Sequence, residues 1–486
     1  MQTLSLDLSR VALKQRRTKI VATVGPASSS PAMLQRLIEA GVNVFRLNFS
    51  HGTHEMHGEV YGRIRTAAAH ANRQVAILAD LCGPKIRVGQ FEGGGIDLRI
   101  GESVTVTVRE TQGRPGLIPS QYHALASDVR HGDRILLDDG QLELRVEAVA
   151  GTEITCTVVV GGRLRDKKGM NLPGVAVSAP ALTDKDREDA TFASQLGVDY
   201  LALSFVRSAG DVQQLRDLLA HLGRDTPIIA KIEKPEALTV IGAILEAADG
   251  IMVARGDLGV ECPAEEVPLI QQELVRLAIQ ANKPVIVATQ MLESMISNPR
   301  PTRAEMSDVA HAAMSRADAV MLSAETAAGQ YPVDAVATMD RVLRLVEGYQ
   351  WQHGAFGTVT PGAPAGLGDD SGEALSRATA LLSRELGVRA VVVPTRTGRT
   401  ARLVSAERPA APILAVTHNE DVCRRLALQW GIQPMLARLE DLETPSLLGR
   451  RVAVEAGMAE AGQLILLVWE TRAEGRSAPT VSIVSV

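Results

Sequence analysis

The chain has 486 residues, more than one hydrophobic core usually supports, and 45% of them are apolar, so we expect a globular protein of two or more domains. A net charge of −5 is mild for this length and no run of like charge occurs, which argues against nucleic acid or an anionic membrane as the main partner. The four cysteines are far apart and no apolar run reaches the length of a membrane span. The sequence therefore predicts a soluble cytoplasmic protein without a disulfide framework or a cysteine zinc site.

Residues 1–17 mix apolar and charged side chains and lack the apolar centre of a signal peptide. After them, short apolar runs alternate with amphipathic segments, which predicts strands followed by helices. Eight consecutive strand–helix units are typical of a closed (β/α)8 TIM barrel with its active site at the carboxyl ends of the strands, and we expect this α/β barrel over 18–82 and 181–348. The predicted strands are 19–24, 43–48, 75–80, 199–206, 227–232, 250–255, 284–289 and 318–323. The predicted helices are 31–41, 53–72, 184–196, 208–223, 235–247, 263–282, 302–316 and 332–348.

Residues 83–180 interrupt this alternation with a different pattern. Apolar residues alternate with polar ones and glycine-rich turns separate the runs, which predicts a small antiparallel β-barrel domain inserted into a loop of the main barrel. Since the insertion follows the third strand, we expect a lid over the active-site face, with hinges near Pro84 and Pro180. The predicted strands of the lid are 104–108, 134–137, 142–146 and 154–160.

Residues 349–486 form the third predicted domain, in which a segment rich in glycine and proline at 354–368 leads into a small α/β sheet. The loop after its first strand carries two arginines and three hydroxyls at the start of a helix, where side chains and backbone N–H groups suit a bound phosphate. An ordinary solvated turn is the alternative. The predicted strands are 389–393, 412–416, 434–436 and 463–468. The residues of the loop are Thr395, Arg396, Thr397, Gly398, Arg399 and Thr400.

Charged residues end the central strands of the predicted barrel. Glu233 and Asp257 follow neighbouring strands, and two carboxylates at one open face suit Mg²⁺ or Mn²⁺ when the other ligands are water and substrate oxygens. Each carboxylate alone could equally be a partner in a salt bridge. Lys231 lies two residues before Glu233, so both side chains point to the same side, where the ammonium would neutralise charge on a transferring phosphoryl group or an enolate. Gly256 would let an anion approach the backbone closely.

Three further charged residues belong to the same predicted face. Arg46 lies at the end of the second strand, Asp80 closes the third, and Arg87 stands just inside the lid. Arginine suits bidentate contact with phosphate, so the combined set of arginines, lysine and carboxylates predicts phosphoryl transfer. Thr289 ends the seventh strand, and two roles are open for it: a structural hydroxyl, or a group that orients a proton-donating water.

Several long motifs, in their order along the chain, resemble those of the pyruvate kinase family. The likeness is strong over about 17–345, includes the lid segment 167–173, and continues more loosely to the C-terminus. It implies transfer of the phosphoryl group of phosphoenolpyruvate to ADP, giving ATP and an enolate that is protonated to pyruvate. The motifs are Arg46-Leu-Asn-Phe-Ser-His-Gly-Thr-His-Glu55, Ile228-Ile-Ala-Lys-Ile-Glu233, Gly250-Ile-Met-Val-Ala-Arg-Gly-Asp-Leu-Gly259, Ala288-Thr-Gln-Met-Leu-Glu-Ser294 and Pro299-Arg-Pro-Thr-Arg-Ala-Glu305.

The resemblance also implies roles for single residues at the barrel mouth. Glu233 and Asp257 would hold the catalytic Mg²⁺, and Lys231 would stabilise the phosphoryl transition state and the enolate. Arg46 would bind the substrate phosphate, and the turn at Gly256 and Asp257 would bind the substrate carboxylate.

A second group of implied roles concerns protonation and the nucleotide. Thr289 would help to protonate the enolate. Arg87, Lys168 and the turn from Asn48 to His51 would contact ADP or ATP as the lid closes.

One segment departs from the family pattern. Many members have Thr-Lys-Gly-Pro-Glu-Ile-Arg after the aspartate that corresponds to Asp80, whereas this chain has Leu-Cys-Gly-Pro-Lys-Ile-Arg beginning at Leu81. The monovalent-cation site of the family uses groups that match Asn48, Ser50, Asp80 and the carbonyl of residue 81. Lys85 replaces the nearby glutamate and places a fixed ammonium there, so the resemblance implies an enzyme that does not require K⁺.

The resemblance implies two further properties and leaves two rival functions. The loop 395–400 is similar to the effector-phosphate loop of the family, which implies activation by a sugar phosphate or a nucleotide. The family is usually homotetrameric. The rivals are a different barrel lyase that acts on phosphoenolpyruvate or pyruvate, and a non-catalytic metabolite sensor on the same fold.

Overall fold

The computed structural model describes residues 12–358, 371–473 and 476–486, so most of the N-terminal segment and most of the 354–368 connection lie outside the described residues. The strands, in chain order, are β1 (Lys19–Thr23), β2 (Val44–Asn48), β3 (Ala76–Asp80), β4 (Gly95–Leu98), β5 (Ser103–Thr107), β6 (Leu117–Pro119), β7 (Arg134–Leu137), β8 (Leu142–Ala150), β9 (Glu153–Val160), β10 (Gly162–Arg165), β11 (Met170–Asn171), β12 (Tyr200–Leu203), β13 (Ile228–Ile232), β14 (Gly250–Ala254), β15 (Val285–Ala288), β16 (Ala319–Leu322), β17 (Val391–Pro394), β18 (Ile413–Thr417), β19 (Ile432–Leu436), β20 (Leu464–Ala473) and β21 (Arg476–Ser485).

The α-helices, in chain order, are α1 (Pro31–Ala40), α2 (His54–His70), α3 (Leu125–Asp128), α4 (Asp184–Leu196), α5 (Ala209–His221), α6 (Pro235–Thr239), α7 (Ile241–Ala247), α8 (Arg255–Glu261), α9 (Val267–Gln280), α10 (Arg303–Met314), α11 (Ala324–Ala327), α12 (Pro332–Gln352), α13 (Ser371–Glu385), α14 (Arg399–Ala406), α15 (Glu420–Arg425) and α16 (Pro445–Glu455). Several of these helices begin after a Ser or Thr whose side chain caps the helix N-terminus. Thr183, Ser208 and Thr302 each form a capping box, in which the cap side chain and a carboxylate three residues later bond each other's backbone N–H.

Eight parallel strands close into the predicted barrel, in the order β1-β16-β15-β14-β13-β12-β3-β2. Alternate strand residues point inward, and the interior is filled by apolar side chains such as Val21, Leu78 and Ile229. Ala427 and Leu428, from the C-terminal domain, belong to the same apolar cluster. Since Lys231 lies two residues after Ile229 on β13, it projects into the barrel as well, next to the carboxyl ends of the strands.

The inserted β domain is present between β3 and α4, as predicted, and it consists of two sheets. Its strands form a six-stranded sheet in the order β11-β7-β8-β9-β5-β6 and a two-stranded sheet of β10 and β4, so two sheets replace the single small barrel that the sequence suggested. Their pairing is antiparallel except between β5 and β6, which run parallel. The lid has its own apolar cluster, so it packs as a unit of its own above the barrel.

The C-terminal domain is a five-stranded sheet in the order β19-β18-β17-β20-β21, parallel except for the antiparallel pair β20 and β21. The sequence analysis missed β21, whose polar and apolar residues do not alternate strictly. Buried charges join this domain to the base of the barrel. Arg408 pairs with Asp318 at 2.9 Å, and Lys19 donates to the carbonyl of Ile432 at 2.5 Å. Burial lowers the pKa of the Lys19 ammonium to about 7.

Several predicted boundaries are wrong near the site. The predicted strand 199–206 ends at Leu203, and the predicted helix 235–247 divides into α6 and α7. The predicted turn after 250–255 is the short helix α8, and the next helix begins at Val267 rather than at residue 263. At the first of these boundaries, Phe205 lies two residues past the end of β12 and has φ +55°, which is incompatible with an extended strand. Among the described residues, no helix is both long and apolar enough to cross a membrane.

Candidate active site

Lys231 lies at the centre of a charged cluster at the barrel mouth. Its ammonium is 2.9 Å from Glu233 Oε1 and 3.3 Å from Asp80 Oδ1, and it donates to Ser204 Oγ at 2.7 Å. Burial alone would lower the pKa of Lys231, but the two carboxylates outweigh that effect and raise it above its ordinary value. The ammonium is therefore a fixed positive charge at any physiological pH.

Arg46 joins this cluster from β2. Its Nε donates to Asp80 Oδ2 at 2.6 Å and its Nη1 donates to Thr23 Oγ1 at 3.1 Å. Burial would raise the pKa of Asp80, but Arg46 and then Lys231 outweigh it and keep the pKa low. A guanidinium has five N–H donors, so these two bonds hold the group in place and leave donors for a phosphate.

Glu233 is 1% exposed, and its second oxygen, Oε2, accepts the backbone N–H of Phe205 at 2.7 Å. Burial raises the pKa of this carboxyl. Lys231 opposes the rise, and the nearby Asp257 adds to it. Burial and the neighbouring Asp257 thus destabilise the charged form of Glu233, and a bound cation would offset this effect. The two hard oxygen donors therefore suit a divalent cation such as Mg²⁺.

Asp257 and Gly256 form the first turn of α8, beside the end of β15. The Gly256 N–H donates to Thr289 Oγ1 at 2.7 Å, and that hydroxyl in turn donates to the carbonyl of Ala288 at 2.6 Å. A substrate carboxylate at this turn would compete with the threonine for the Gly256 N–H. Thr289 itself has φ +70°, a costly conformation for a β-branched residue and one that often marks a functional site.

Arg255 holds the left-handed backbone of Thr289 in place. Its Nη2 donates to the carbonyl of Thr289 at 2.6 Å, and its Nη1 pairs with Asp308 at 2.6 Å. Its guanidinium is thus engaged by the protein, and we assign Arg255 a supporting position behind Thr289 rather than a place on the substrate.

Lys85 enters the site from the segment that leads into the lid. Its ammonium is 3.3 Å from Asp257 Oδ1, and both side chains are about a quarter exposed, at 28% and 24%. Asp80, which the resemblance implied in a monovalent-cation site with Asn48, Ser50 and the Leu81 carbonyl, pairs with Arg46 and Lys231.

The other proposed members of that cation site have protein partners. Asn48 Oδ1 accepts the Ser50 N–H at 3.1 Å, and the carbonyl of Leu81 accepts the Ser204 hydroxyl at 2.7 Å. The Asn48 carbonyl accepts the His51 N–H at 3.2 Å, which forms the turn predicted to contact a nucleotide.

Two predicted nucleotide ligands belong to the lid. Arg87 donates to the carbonyl of Lys167 at 3.0 Å, and Lys168 pairs with Asp138 at 2.7 Å. Both are partly exposed. In this structure the lid's own groups hold both side chains, and each keeps further N–H donors that would be available to a nucleotide.

The chain is similar to known proteins over almost all of its described length. Residues 15–336 match the family described as "Pyruvate kinase, barrel domain", and residues 373–484 match "Pyruvate kinase, alpha/beta domain". The pyruvate kinase of Geobacillus stearothermophilus is 50% identical over 459 residues, which cover 93% of this chain and 77% of that protein. Pyruvate kinase 2 of Synechocystis is 47% identical over 435 residues, covering 89% and 72%, and the pyruvate kinase of Mycobacterium tuberculosis is 46% identical over 421 residues, covering 87% and 88%.

The chain belongs to the pyruvate kinase family. It is an enzyme, a phosphotransferase, and its barrel, lid and C-terminal α/β domain match the pyruvate kinase fold. The structure brings together Arg46, Asp80, Lys231 and Glu233, which sequence reasoning had placed at one barrel face as a phosphoryl-transfer set.

Two residues of this pyruvate kinase site were missed by the sequence analysis. Ser204 contacts Lys231 and the Phe205 N–H contacts Glu233, yet both lay inside the predicted strand 199–206 and were read as part of its run. A serine that interrupts an apolar strand just before its end was the available signal.

The predicted effector loop lies beside a cavity of about 270 Å³ between the C-terminal domain and the base of the barrel. Thr397 and Arg399 of the loop line it, together with Arg402 of α14. Within the loop, the Gly398 N–H donates to Thr395 Oγ1 at 3.0 Å. The barrel contributes Lys283 and α15 contributes Arg425, so four lining side chains are cationic, against one carboxylate, Asp249.

Proposed function

We propose that this enzyme transfers the phosphoryl group of phosphoenolpyruvate to ADP at the mouth of the barrel, with Lys231 as the central catalytic cation. The observation that supports this most is the ammonium of Lys231, held by Asp80, Glu233 and Ser204 at the carboxyl ends of the strands. A coupled assay of pyruvate formation tests it. Turnover must require both phosphoenolpyruvate and ADP, whereas a barrel lyase would need no ADP and a sensor would bind phosphate esters without turnover.

In the reaction, the bond between the phosphorus and the enol oxygen breaks while a terminal oxygen of ADP bonds to the phosphorus, and the enol oxygen keeps the electron pair. Arg46 would hold the transferring phosphate, because Asp80 and Thr23 fix its guanidinium in the mouth. Lys231 would stabilise the charge that moves from the phosphoryl group to the enolate oxygen. Fixed groups of this kind need no reorganisation at the moment of transfer.

The enolate must then gain a proton at carbon to become pyruvate. Thr289 is the proposed residue on that side, with its hydroxyl fixed by the Gly256 N–H and the Ala288 carbonyl. It would orient a water that gives the proton. The backbone at Gly256 and Asp257 would bind the substrate carboxylate.

Glu233 and Asp257 would hold Mg²⁺, or Mn²⁺ in its place. The raised pKa of Glu233, which burial causes and Asp257 increases, supports this assignment because a bound cation would offset both effects. When bound, the divalent ion supplies positive charge to the substrate oxygens. Asn48, His51, Arg87 and Lys168 would contact the nucleotide.

We expect the wild-type enzyme to turn over fully without K⁺. The ammonium of Lys85 lies 3.3 Å from Asp257 and adds a fixed positive charge beside the proposed metal site. In Lys85→Glu this charge reverses, so turnover in K⁺-free buffer should fall by about tenfold or more, as expected from a shift of roughly 1.4 kcal/mol in the barrier. Adding K⁺ should restore it in part. The measurement is kcat in tetramethylammonium buffer with and without KCl. Strong K⁺ activation of the wild type would contradict the prediction.

A regulatory ligand is the second part of the proposal. The cationic cavity beside the loop 395–400 would take a sugar phosphate or a nucleotide, which would join the C-terminal domain to the barrel. We expect a member of a panel of sugar phosphates and nucleoside monophosphates to lower the KM for phosphoenolpyruvate.

Arg402→Gln should weaken that activation by about tenfold in ligand concentration, since one charge-assisted contact is lost. Arg438→Gln is the matched control, because Arg438 lies in the same domain and its side chain is 76% exposed. Equal loss of activation in both variants would argue against the cavity. A homotetramer is proposed from the family alone and is tested by the mass of the enzyme in solution.

A further inference from the structure

The segment 204–207, between β12 and α5, contacts both the lid and the residues Lys231 and Glu233, here called the catalytic pair. Ser204 is 1% exposed and Phe205 is 9% exposed, so the segment lies within the protein rather than on a surface loop. Ser204, Phe205 and Arg207 make contacts in two directions, toward Lys231 and Glu233 on one side and toward both connections of the lid on the other.

On the catalytic side, the hydroxyl of Ser204 has a defined direction. It donates its proton to the carbonyl of Leu81 at 2.7 Å, so its lone pairs face the ammonium of Lys231, which is also 2.7 Å away. The next residue donates its backbone N–H to Glu233 Oε2 at 2.7 Å. Two successive residues therefore set the positions of Lys231 and of the proposed metal ligand.

Phe205 has φ +55°, in the left-handed region that a bulky side chain rarely adopts. A cost of this kind persists only where surrounding contacts enforce it. Gly83, at the entry to the lid, is packed directly against this turn. A Cβ atom on Gly83 would lie 2.8 Å from both Phe205 Cδ2 and Ser204 Cβ. The first hinge of the lid thus closes over the same two residues that hold the catalytic pair.

Arg207 makes the matching contact with the second hinge. Its guanidinium donates to the carbonyl of Val177 and, at 2.6 Å, to the carbonyl of Ala179, which lies next to Pro180. The Arg207 N–H is itself anchored to Asp211 at 2.9 Å, in the capping box of α5. One short segment with a fixed end therefore contacts both lid connections.

We infer that the segment 204–207 is a positioning element that links closure of the lid to the placement of Lys231 and Glu233. Ser204 and Arg207 are positioning residues, since they contact catalytic groups or the lid rather than substrate. The inference rests on the proposed roles of Lys231 and Glu233. It predicts that a change at the lid end of the segment and a change at its catalytic end affect the same step.

Ser204→Ala should lower kcat by about 10- to 100-fold, the effect of losing one hydrogen bond to a charged group in a preorganised site. The KM for phosphoenolpyruvate should stay near its wild-type value, because Arg46 is untouched. The exchange of the methyl protons of pyruvate with solvent, followed by NMR, should slow by a similar factor, because it also requires Lys231 at the enolate. Ser194→Ala is the matched control. Ser194 is 1% exposed and its hydroxyl donates to a carbonyl of its own helix, at Thr191.

Arg207→Ala should raise the KM for ADP and lower kcat by about tenfold, and it should speed hydrogen–deuterium exchange at both lid connections. Arg216→Ala is its control, since Arg216 also bonds a backbone carbonyl, at Ala247, but far from the lid. Thermal unfolding of all variants separates lost stability from lost turnover.

The double variant Ser204→Ala, Arg207→Ala tests whether the segment acts as one unit. If the segment acts as one unit, the double variant should resemble the more severe single variant. Effects on kcat that multiply would overturn the inference, as would a Ser204→Ala enzyme that matches Ser194→Ala. The Lys231→Met variant distinguishes failure of the proposed catalytic roles from failure of the positioning element. If it retains turnover, the proposed catalytic roles fail. If it is inactive while Ser204→Ala is normal, only the positioning element is wrong.

Discussion

Replacing Lys231 with methionine should lower kcat by about 100- to 1000-fold, the usual effect of removing one preorganised group that stabilises transition-state charge. The methionine fills a similar volume, but the enolate oxygen and the transferring phosphoryl group lose their nearest cation. The measurement is pyruvate formation at saturating phosphoenolpyruvate, ADP and Mg²⁺. The exchange of pyruvate methyl protons should fall as well.

The variant also leaves Asp80 and Glu233 buried without their shared partner, so stability will fall. Lys234→Met is the control for that effect. Lys234 is likewise a half-buried lysine that pairs with a buried carboxylate, Glu261, at 2.6 Å. It should lose stability and keep most of its turnover. Similar turnover in both variants would remove Lys231 from the mechanism.

The second large effect is expected for Glu233→Gln. The glutamine still accepts the Phe205 N–H, but the divalent cation loses a charged ligand, so kcat should fall by about 100-fold or more. The Mg²⁺ concentration needed for half-maximal turnover should rise by about tenfold or more. Binding of Mn²⁺, measured by electron paramagnetic resonance without substrates, gives a readout independent of activity.

The wild-type enzyme should bind Mn²⁺ less tightly as the pH falls. Burial raises the pKa of Glu233 above the ordinary 4.5, with a further rise from Asp257, and the protonated carboxyl does not bind the cation. The loss should therefore begin above the pH of an ordinary glutamate and be much weaker in Glu233→Gln. Glu261→Gln is the control, and it should keep the wild-type affinity and pH dependence. Unchanged Mn²⁺ affinity in Glu233→Gln would contradict the proposed metal site.

Much of the site could be predicted because barrel topology gathers the carboxyl ends of the strands. Lys231 and Glu233 had to share one face since they lie two residues apart at the end of β13, and Arg46 and Asp80 lie on the adjacent strands β2 and β3. The proposed phosphate-binding loop 395–400 could be predicted for the same reason, because it connects a strand to a helix. Pattern and order along the chain are enough for such placements.

The ion-pair partner of each charged side chain could not be predicted in the same way. The resemblance implied a place for Lys85 near the cation-site groups but could not name its partner; in the structure its ammonium is 3.3 Å from Asp257, and Asp80 pairs with Arg46 and Lys231. Side-chain partners depend on distances between segments that are far apart in sequence. The strand end at Leu203 was missed for a related reason, because the left-handed turn at Phe205 is enforced by contacts with Glu233 and Gly83.

The alternation of short apolar runs and amphipathic segments by itself determined the barrel, the inserted lid and the third domain, because each element must bury one face. Only the tertiary structure decided which carboxylate each cation meets, that Thr289 and Phe205 adopt left-handed backbone, and that the segment 204–207 lies between the lid and the catalytic pair. Burial patterns are local and periodic, whereas ion pairs and strained turns depend on the packing of the whole chain.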